Sequence, residues 1–505
     1  MPVFAAIDIG SNSVRLKIAR LVRRRLKVLH EDREVTRLGE SVFQSGMLDP
    51  ATMEHTVKVL RRFHKATQQF GADEVRVVAT SATRDARNSA AFMQWVHAAT
   101  GWRVQVISGL EEGRLIHLGV TTHTDIKAGR MLLIDLGGGS CELTVSTKQQ
   151  IEHMVSLPLG AVRLTRDFLV HDPPTQNEVE RLKAFIQEEI VRVEPGLRKG
   201  KVNATIATSG TPAALADMWS KANKRATTTV PREALLRMTK KLTKMTVTQR
   251  RAVKGIGPKR AEIIIPGAWV FSELLSRLQL TSFRYVPYGL RDGMLQQMLA
   301  DYGSTQRLGQ RLASERANSV KTLASHYNID LRHAERVREH CVELFKALQS
   351  VHHLPAEYLE LLEAASLLQE VGSFVNRAGR HRHAYYIVAH SELLGYTPSE
   401  RKVVAAIVRF VGKSRPTSDT PSMRAIPAAD RLMVPRATML LRLSRAFEQG
   451  RRGVVSNIRA TVRADRVVMK FKEKAPGAEL ESWAVEKEKN YFRELFGREL
   501  ALATE

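Results

Sequence analysis

Cysteine is nearly absent from this chain. Two thiols in 505 residues, Cys141 and Cys341, cannot build a disulfide framework, so a stapled secreted scaffold is excluded and both side chains are expected to be reduced. Long apolar runs are missing too. No stretch of membrane-spanning length is free of charge, which argues against a transmembrane helix. The short apolar run near the N-terminus is broken by Asp8 and does not read as a secretory leader, so the expected location is cytoplasmic. Acidic residues are scarce, 52 Asp and Glu against 78 Lys and Arg. The resulting net charge of +26 captures polyanions, without choosing between nucleic acid, inorganic polyphosphate and an anionic membrane surface.

What is present is enough for several cores. The length implies two to four domains, and 43% hydrophobic with 26% charged residues is a globular composition. Residues 4–9 read as a strand, and residues 14–21 run into the cationic Arg23-Arg24-Arg25, a hairpin whose turn carries the charge. Leu48–Gly71 is helical behind the start signal Asp49-Pro50, with Leu60 and Phe63 on one face. Glu74–Thr80 is a strand, 88–100 a helix and Trp102–Ser108 another strand. The pattern restarts at Met131–Asp135. Strands near 141–146 and 151–157 follow, then a helix at 177–194 with Val179, Leu182, Ile186 and Val193 on one side, the strand Ala204–Thr208, and helices to about residue 300. Strands alternating with helices predict an α/β architecture, and the restart predicts a duplicated fold with a cleft between its halves. Residues 301–310 read as a linker and 311–448 as helices. Two strands over 455–472, the turn Pro476-Gly477 and a helix over 478–496 form a small α+β tail.

One motif occurs at the start of both halves. An apolar run ends in Asp8 and the turn Gly10-Ser11-Asn12-Ser13, and a second ends in Asp135 and the turn Gly137-Gly138-Gly139-Ser140. Glycine lets backbone amides approach phosphate oxygens, and a carboxylate beside it faces a cation. Either turn alone also reads as a structural bend with a capping Asp, but the matched pair points to a polyphosphate gripped from both sides. Thr80-Ser81-Ala82-Thr83-Arg84, with Asn88 one turn on, offers an arginine for bidentate phosphate contact; the other reading is a capped helix with a solvated Arg. Glu111-Glu112 start a helix. They serve either as favourable charge at its N-terminus or as the carboxylate that orients water for phosphoanhydride hydrolysis. Glu142 shares the face of Ser140, and Ser209-Gly210-Thr211 follows a strand with further amide donors.

The set Asp8-Ile-Gly-Ser-Asn-Ser13, Thr80…Arg84, Ser108-Gly…Glu111-Glu112…Leu115, Ile134-Asp-Leu-Gly-Gly-Gly-Ser-Cys-Glu142, Thr208-Ser-Gly-Thr211 and Tyr288-Gly-Leu-Arg-Asp-Gly293 resembles the exopolyphosphatase / guanosine pentaphosphate phosphohydrolase family in order and spacing through the first 300 residues. The resemblance implies a duplicated actin-like core, related to sugar kinases and heat-shock ATPases. It implies Glu112 as the catalytic carboxylate, with metal and phosphate contacts from Asp8, Ser11, Asn12, Arg84, Asp135, Gly137, Gly138, Gly139, Ser140 and Glu142. Cys141 departs from the usual Thr; its small side chain keeps the turn and introduces a candidate oxidant-sensitive thiol. Longer members add a helical module related to the HD phosphohydrolases. Here Gln369-Glu370 stand where the metal-binding His-Asp pair belongs, and Val408–Val411 lacks a further His. The usual divalent site is therefore excluded. His381 and His383, with Arg377, Arg380, Arg382 and Lys413, either hold an anionic chain or form a solvated basic loop.

The expected organisation is 1–124 and 125–300 as the two actin-like halves, 311–448 as an HD-like helical domain, and 449–505 as a small α+β domain. The expected activity is release of terminal orthophosphate from inorganic polyphosphate by metal-assisted water attack. Glu112 orients or deprotonates the water, Arg84 stabilises transition-state charge, and Asp8, Asp135 and Glu142 surround Mg²⁺ (Mn²⁺ being the alternative), with room for a monovalent cation. The turns at 10–13 and 137–140 and the segment Ser209, Gly210, Thr211 donate to phosphate. A forty-residue basic stretch, Lys221–Arg260, holds thirteen Lys and Arg against Glu233 alone and suits a long polyanion. Lys254–Ala261 mimics a DNA-binding hairpin, but it also matches the family's loop, and the family loop is favoured over nucleic acid. A homodimer and no membrane partner are expected. The first alternative is hydrolysis of guanosine pentaphosphate or tetraphosphate. Others are a non-catalytic polyanion or nucleic-acid binder on the same scaffold, and a kinase of the superfold, for which no acceptor or adenosine signal is seen.

Overall fold

The first apolar run becomes a central strand because neighbours cover both of its faces. β1 (Val3–Ile9) is buried throughout except at Asp8, which is half-buried. It pairs antiparallel with β2 (Val14–Val22), and β2 with β3 (Arg25–Glu34), so the predicted hairpin forms. Beyond β1 lie the parallel strands β4 (Glu74–Ala79) and β5 (Val104–Val106), giving the order β3-β2-β1-β4-β5. β5 is shorter than the sequence suggests. Described in this computed structural model are residues 1–505 except 24, 125–128, 225, 304–305, 474–476 and 505. Arg24, Arg225, Pro476, residue 125 where the second half is expected to start, and two residues of the expected linker lie outside the described residues.

The second half repeats the first. β6 (Arg130–Leu136), β7 (Cys141–Thr147) and β8 (Gln150–Leu157) form antiparallel pairs, and β9 (Ala204–Thr208) joins β6 in parallel. β10 (Thr229–Pro231) and β11 (Ser282–Tyr285), two short strands unanticipated from sequence, complete the order β10-β11-β9-β6-β7-β8. Read from the hairpin edge, both sheets run third, second, first, then two parallel strands. The duplication is thus one of topology as well as motif.

Local signals fix the flanking helices. Pro50–Gln69 starts at Asp49, whose carboxylate accepts from Thr52 N at 3.0 Å, and Leu60 and Phe63 are buried beneath it. Gln176–Leu197 opens with the capping box Thr175–Glu178; it buries Leu182 and Ile186 and leaves Val179 and Val193 half-buried. Helices Gly109–His123 and Leu290–Asp301 cross at two glycines. A Cβ on Gly119 would lie 2.7 Å from Gly293 N, and one on Gly293 would run into the Leu115 carbonyl. The later helix packs Met294, Leu295, Met298 and Leu299 against Phe4, Ala6, Ala19, Val78, Ile107 and Leu115 of the first half.

Chain contacts divide the protein into two units, residues 1–309 and 310–505. Helix Gln306–His326 starts inside the stretch expected to be linker. The second unit is helical to Met433–Ala446, then forms β12 (Val455–Val462), β13 (Arg466–Glu473) and β14 (Glu499–Thr504) in that order. The single terminal helix expected over 478–496 is two, Glu479–Glu486 and Lys489–Phe496, and they lead into β14, which joins β13 in parallel. Helices and small sheet share one core, in which Leu344 and Leu440 cluster with Met469, Phe471 and Phe492. Among the described residues no helix is long and apolar enough to cross a membrane.

Candidate active site

The two motif turns are built alike. Gly10 N donates to Ser13 O at 3.2 Å, and Gly137 N donates to Ser140 O at 3.0 Å. Their carbonyls are used outward, at the start of the helix that follows each hairpin. Ser11 O accepts from Gly39 N at 2.7 Å, and Gly138 O accepts from Val162 N at 2.8 Å. The amides of Ser11, Asn12, Gly138 and Gly139 make no hydrogen bond to any described residue. They are unused donors lining one cavity of about 270 Å³, the arrangement that binds phosphate oxygens. The turns also touch. A Cβ on Gly138 would lie 3.2 Å from Asn12 N, and one on Gly139 would lie 2.8 Å from Ser11 Oγ and 2.6 Å from Phe43. Arg163 fastens the second turn by donating from Nε to Gly139 O at 2.8 Å, and it pairs with Asp85 of the first half.

Strand register places the carboxylates. Asp135 lies opposite Glu142 across β6 and β7, so both project on one face. Glu112, in the first turn of helix Gly109–His123, meets them. One oxygen or more of Glu112, Asp135 and Glu142 lie within 4.8 Å of one another, and all three residues are buried. Ser156 Oγ donates to Glu142 Oε1 at 2.8 Å. Glu142 Oε2 and Glu112 Oε2 are buried without a hydrogen bond. Burial and mutual repulsion push Glu112 and Asp135 well above the ordinary carboxylate range, and burial raises Glu142 to about 7. Three carboxylates this close cannot all carry charge without a cation or a shared proton. Orphaned hard oxygen donors therefore fit a divalent ion such as Mg²⁺. Asp8 stands outside this trio. It lines the same cavity, its pKa is raised by burial, and its charge reaches Glu112 and Asp135.

The remaining sequence candidates separate in space. Arg84, read as a phosphate clamp, is not on the cavity wall. Its Nη1 donates to Ile107 O at 2.7 Å and lies 3.9 Å from Glu112 Oε2, so it stands behind the glutamate. Glu111 turns away and takes a bidentate pair from Arg114 at 2.8 Å. Asn88 brackets the Leu48 backbone. Ser209 and Gly210 line the cavity, whereas Thr211 is fully buried and supports Arg260 through a 3.5 Å contact. Ser209 has φ 86° and ψ −178°, a region otherwise left to glycine at a cost of about 1–3 kcal/mol, and its hydroxyl hydrogen-bonds Asp135. Cys141 is completely buried and its thiol pKa is pushed up by burial and by Glu142, the opposite of an oxidant-sensitive thiolate.

Four cavity residues escaped sequence reasoning as a group: Arg15, Arg33, Arg260 and Arg291. They come from β2, β3, the short helix Pro258–Ala261 and the start of helix Leu290–Asp301. Burial and their own mutual repulsion hold Arg33 down to about 10 and Arg260 to about 9. A Cβ on Gly210 would overlap the Arg260 guanidinium, so the glycine makes room for it. The hairpin-like segment Lys254–Ala261 thus contributes its arginine to the cleft. The only signal available in sequence was the Arg-rich flanks of motifs already noted.

A duplicated actin-like core whose halves bring unused amides, buried carboxylates and arginines to one cleft defines a phosphate-handling fold. The profile of the Ppx/GppA phosphatase family matches residues 17–302, and that of Ppx/GppA phosphatase domain III matches residues 316–494. The chain belongs to the Ppx/GppA phosphatase family. It is 27% identical over 409 residues to the guanosine-5'-triphosphate,3'-diphosphate pyrophosphatase of Aeromonas hydrophila, covering 81% of this chain and 80% of that protein. The Aquifex aeolicus family member superposes with TM-score 0.51 at 29% identity, covering 60% of this chain and 97% of that one. An exopolyphosphatase from Cytophaga hutchinsonii shares the fold, with TM-score 0.56 at 24% identity, covering 59% of this chain and 98% of that one.

Proposed function

We propose that this protein is an exopolyphosphatase that removes terminal orthophosphate from inorganic polyphosphate. The observation that carries the reading is the facing of two amide turns across one cavity lined by Asp8, Glu112, Asp135 and four arginines, with Glu142 beside Glu112 and Asp135. The amides of Ser11, Asn12, Gly138 and Gly139 receive oxygens of the terminal phosphoryl group. Arg15, Arg33, Arg260 and Arg291 hold the next phosphates and take up charge as the bridging oxygen leaves. Glu112 accepts a proton from the attacking water as the new P–O bond forms and the bridging P–O bond breaks, the shortened chain keeping the bridging oxygen. Arg84, 3.9 Å behind Glu112, favours its ionised form and fixes its direction. Asp135 and Glu142, with Asp8 beside them, would hold Mg²⁺ or Mn²⁺, which supplies charge neutralisation on the phosphoryl oxygens.

The name of the Aeromonas relative favours a second reading, hydrolysis of guanosine pentaphosphate by the same groups. The net charge of +26 supports the longer polyanion. Phosphate release from long-chain polyphosphate with Mg²⁺, competed by guanosine pentaphosphate, tests both: fast release abolished in Glu112→Ala supports the first, and cleavage of the nucleotide alone supports the second. If neither is cleaved while either binds, the protein is a binding scaffold. A homodimer that lengthens the basic track belongs to the proposal and is tested by light scattering.

A further inference from the structure

The second motif turn is held from behind along its whole length. Its three glycine carbonyls all accept from one element, helix Ala161–Phe168. Gly137 O accepts from Ala161 N at 3.1 Å, and Gly138 O accepts from Val162 N at 2.8 Å and Arg163 N at 3.1 Å. Gly139 O accepts from a side chain, Arg163 Nε at 2.8 Å. A trans peptide points its N–H opposite to its C=O. Carbonyls drawn toward the helix therefore turn the amides of Gly138, Gly139 and Ser140 away from it. All three residues line the cavity, and the Ser140 amide, like the other two, makes no hydrogen bond to any described residue. The first turn is held differently. Its Ser11 and Asn12 carbonyls are taken by backbone amides alone, Gly39 N at 2.7 Å and Arg37 N at 3.2 Å.

Arg163 is in turn held by the other half of the core. Its Nη2 pairs with Asp85 and lies 3.4 Å from Ser81 Oγ, and its guanidinium sits over the Phe43 ring at 4.2 Å. Those partners come from helices Ser81–Asp85 and Gly39–Ser45. Arg163 does not line the cavity, so it acts on a bound phosphate through the peptide it grips. A planar guanidinium offers separate edges to a carbonyl and a carboxylate, which a lysine ammonium does not. We propose that Arg163 is a positioning residue: it aims the Ser140 amide at the reacting phosphoryl group and ties that aim to the first half. Asp85 stands one step further back and orients Arg163. The inference rests on the phosphoryl chemistry proposed for this cleft. An amide aimed at the transferred group contributes most as charge builds on it, so its loss falls on kcat, while the four arginines that hold the chain preserve KM.

The test uses the full chain in two measurements. Phosphate release is followed on long-chain polyphosphate and on guanosine pentaphosphate with Mg²⁺. Arg163→Met is expected to lower kcat by about tenfold or more while KM moves by less than about threefold. Asp85→Asn is expected to lower kcat by less, and to lower it no further once Arg163→Met is present. Arg163→Lys, which keeps the charge over Phe43, is expected to fall between wild type and Arg163→Met, and serves where the Met variant melts early. A wild type that cleaves neither substrate defeats the proposed function, and the second measurement then decides the role of Arg163. In the chain carrying Glu112→Gln, isotope-labelled at serine nitrogen, the Ser140 amide signal is assigned by its loss in Ser140→Ala. Saturating tripolyphosphate is expected to move that proton downfield, and to move it much less when Arg163→Met is added. A Ser140 signal that does not move, or moves equally with and without Arg163, overturns the proposal. So does a loss in Arg163→Met confined to KM, or a double variant whose loss is the product of the two single ones.

Discussion

At one register position the two hairpins of the core part company. Asp8 faces Arg15 across β1 and β2, and Asp135 faces Glu142 across β6 and β7. Strand, turn, turn hydrogen bond and sheet order are otherwise repeated. Under the proposed function, a single change of charge at the partner of the aspartate makes one half the anion-holding hairpin and the other the cation-holding one. The strand ends differ in the same spirit. Thr80, after β4, is relaxed at φ −114°, whereas Ser209, after β9, sits at φ 86°. Duplication supplies a symmetric cradle, and catalysis needs its two sides to differ.

The comparison can be broken first at the group that serves neither hairpin alone. Glu112→Gln is expected to lower kcat on long-chain polyphosphate by about 10²–10⁴-fold, measured as phosphate release. In the wild type Glu112 must be ionised to accept a proton, and its pKa is raised. The acid limb of kcat/KM should therefore fall above the ordinary carboxylate range, with rate rising as pH rises.

Neutralising the cation-holding hairpin comes next. Glu142→Gln is expected to raise the Mg²⁺ concentration for half-maximal rate by about tenfold or more. The same change should stabilise the metal-free protein at alkaline pH. Carboxylates with raised native pKa bind protons more tightly folded than unfolded, so wild-type stability without metal falls as pH climbs from the ordinary range through about 7 and then levels off. The loss is on the order of 1–3 kcal/mol. Melting in EDTA across that window should show a flatter curve for Glu142→Gln; an identical slope would sink the account.

On the anion-holding side, Arg15→Gln is expected to raise KM for polyphosphate about tenfold, one charge-assisted contact, and to make KM less sensitive to salt. The smallest effect concerns backbone alone. Ser209→Gly should raise stability by about 1 kcal/mol while weakening the hold on Asp135, read as a higher melting temperature with a modest loss of rate.

Both motif turns and Glu112 were legible in sequence because each is contiguous: an apolar run, an acid and small residues in a fixed order. The regrouping of Glu112 with Asp135 and Glu142 was not, because it depends on where helix Gly109–His123 meets β7. The arginines were invisible as a set, since four separate elements deliver them and single arginines are common on surfaces. β10, β11 and β14 escaped because strands of three to six residues carry little pattern, and β14 is held by pairing with β13. Arg84 shows the reverse case: its residue type suited a phosphate, but its helix aims it at Ile107 and Glu112.

The crossing of helices Gly109–His123 and Leu290–Asp301 bears on how the chain can be cut. The sheet of the first half has a face at Phe4, Ala19 and Val78 that packs against the last helix of the second half. A fragment ending before Leu290 would expose that face to water, and a fragment holding the second half alone would carry an apolar helix with nothing beneath it. The repeats are therefore interlocked like clasped hands. A split gene would have to supply both pieces together, and a circular permutation that kept Leu290–Asp301 near Met1 would be the gentler cut.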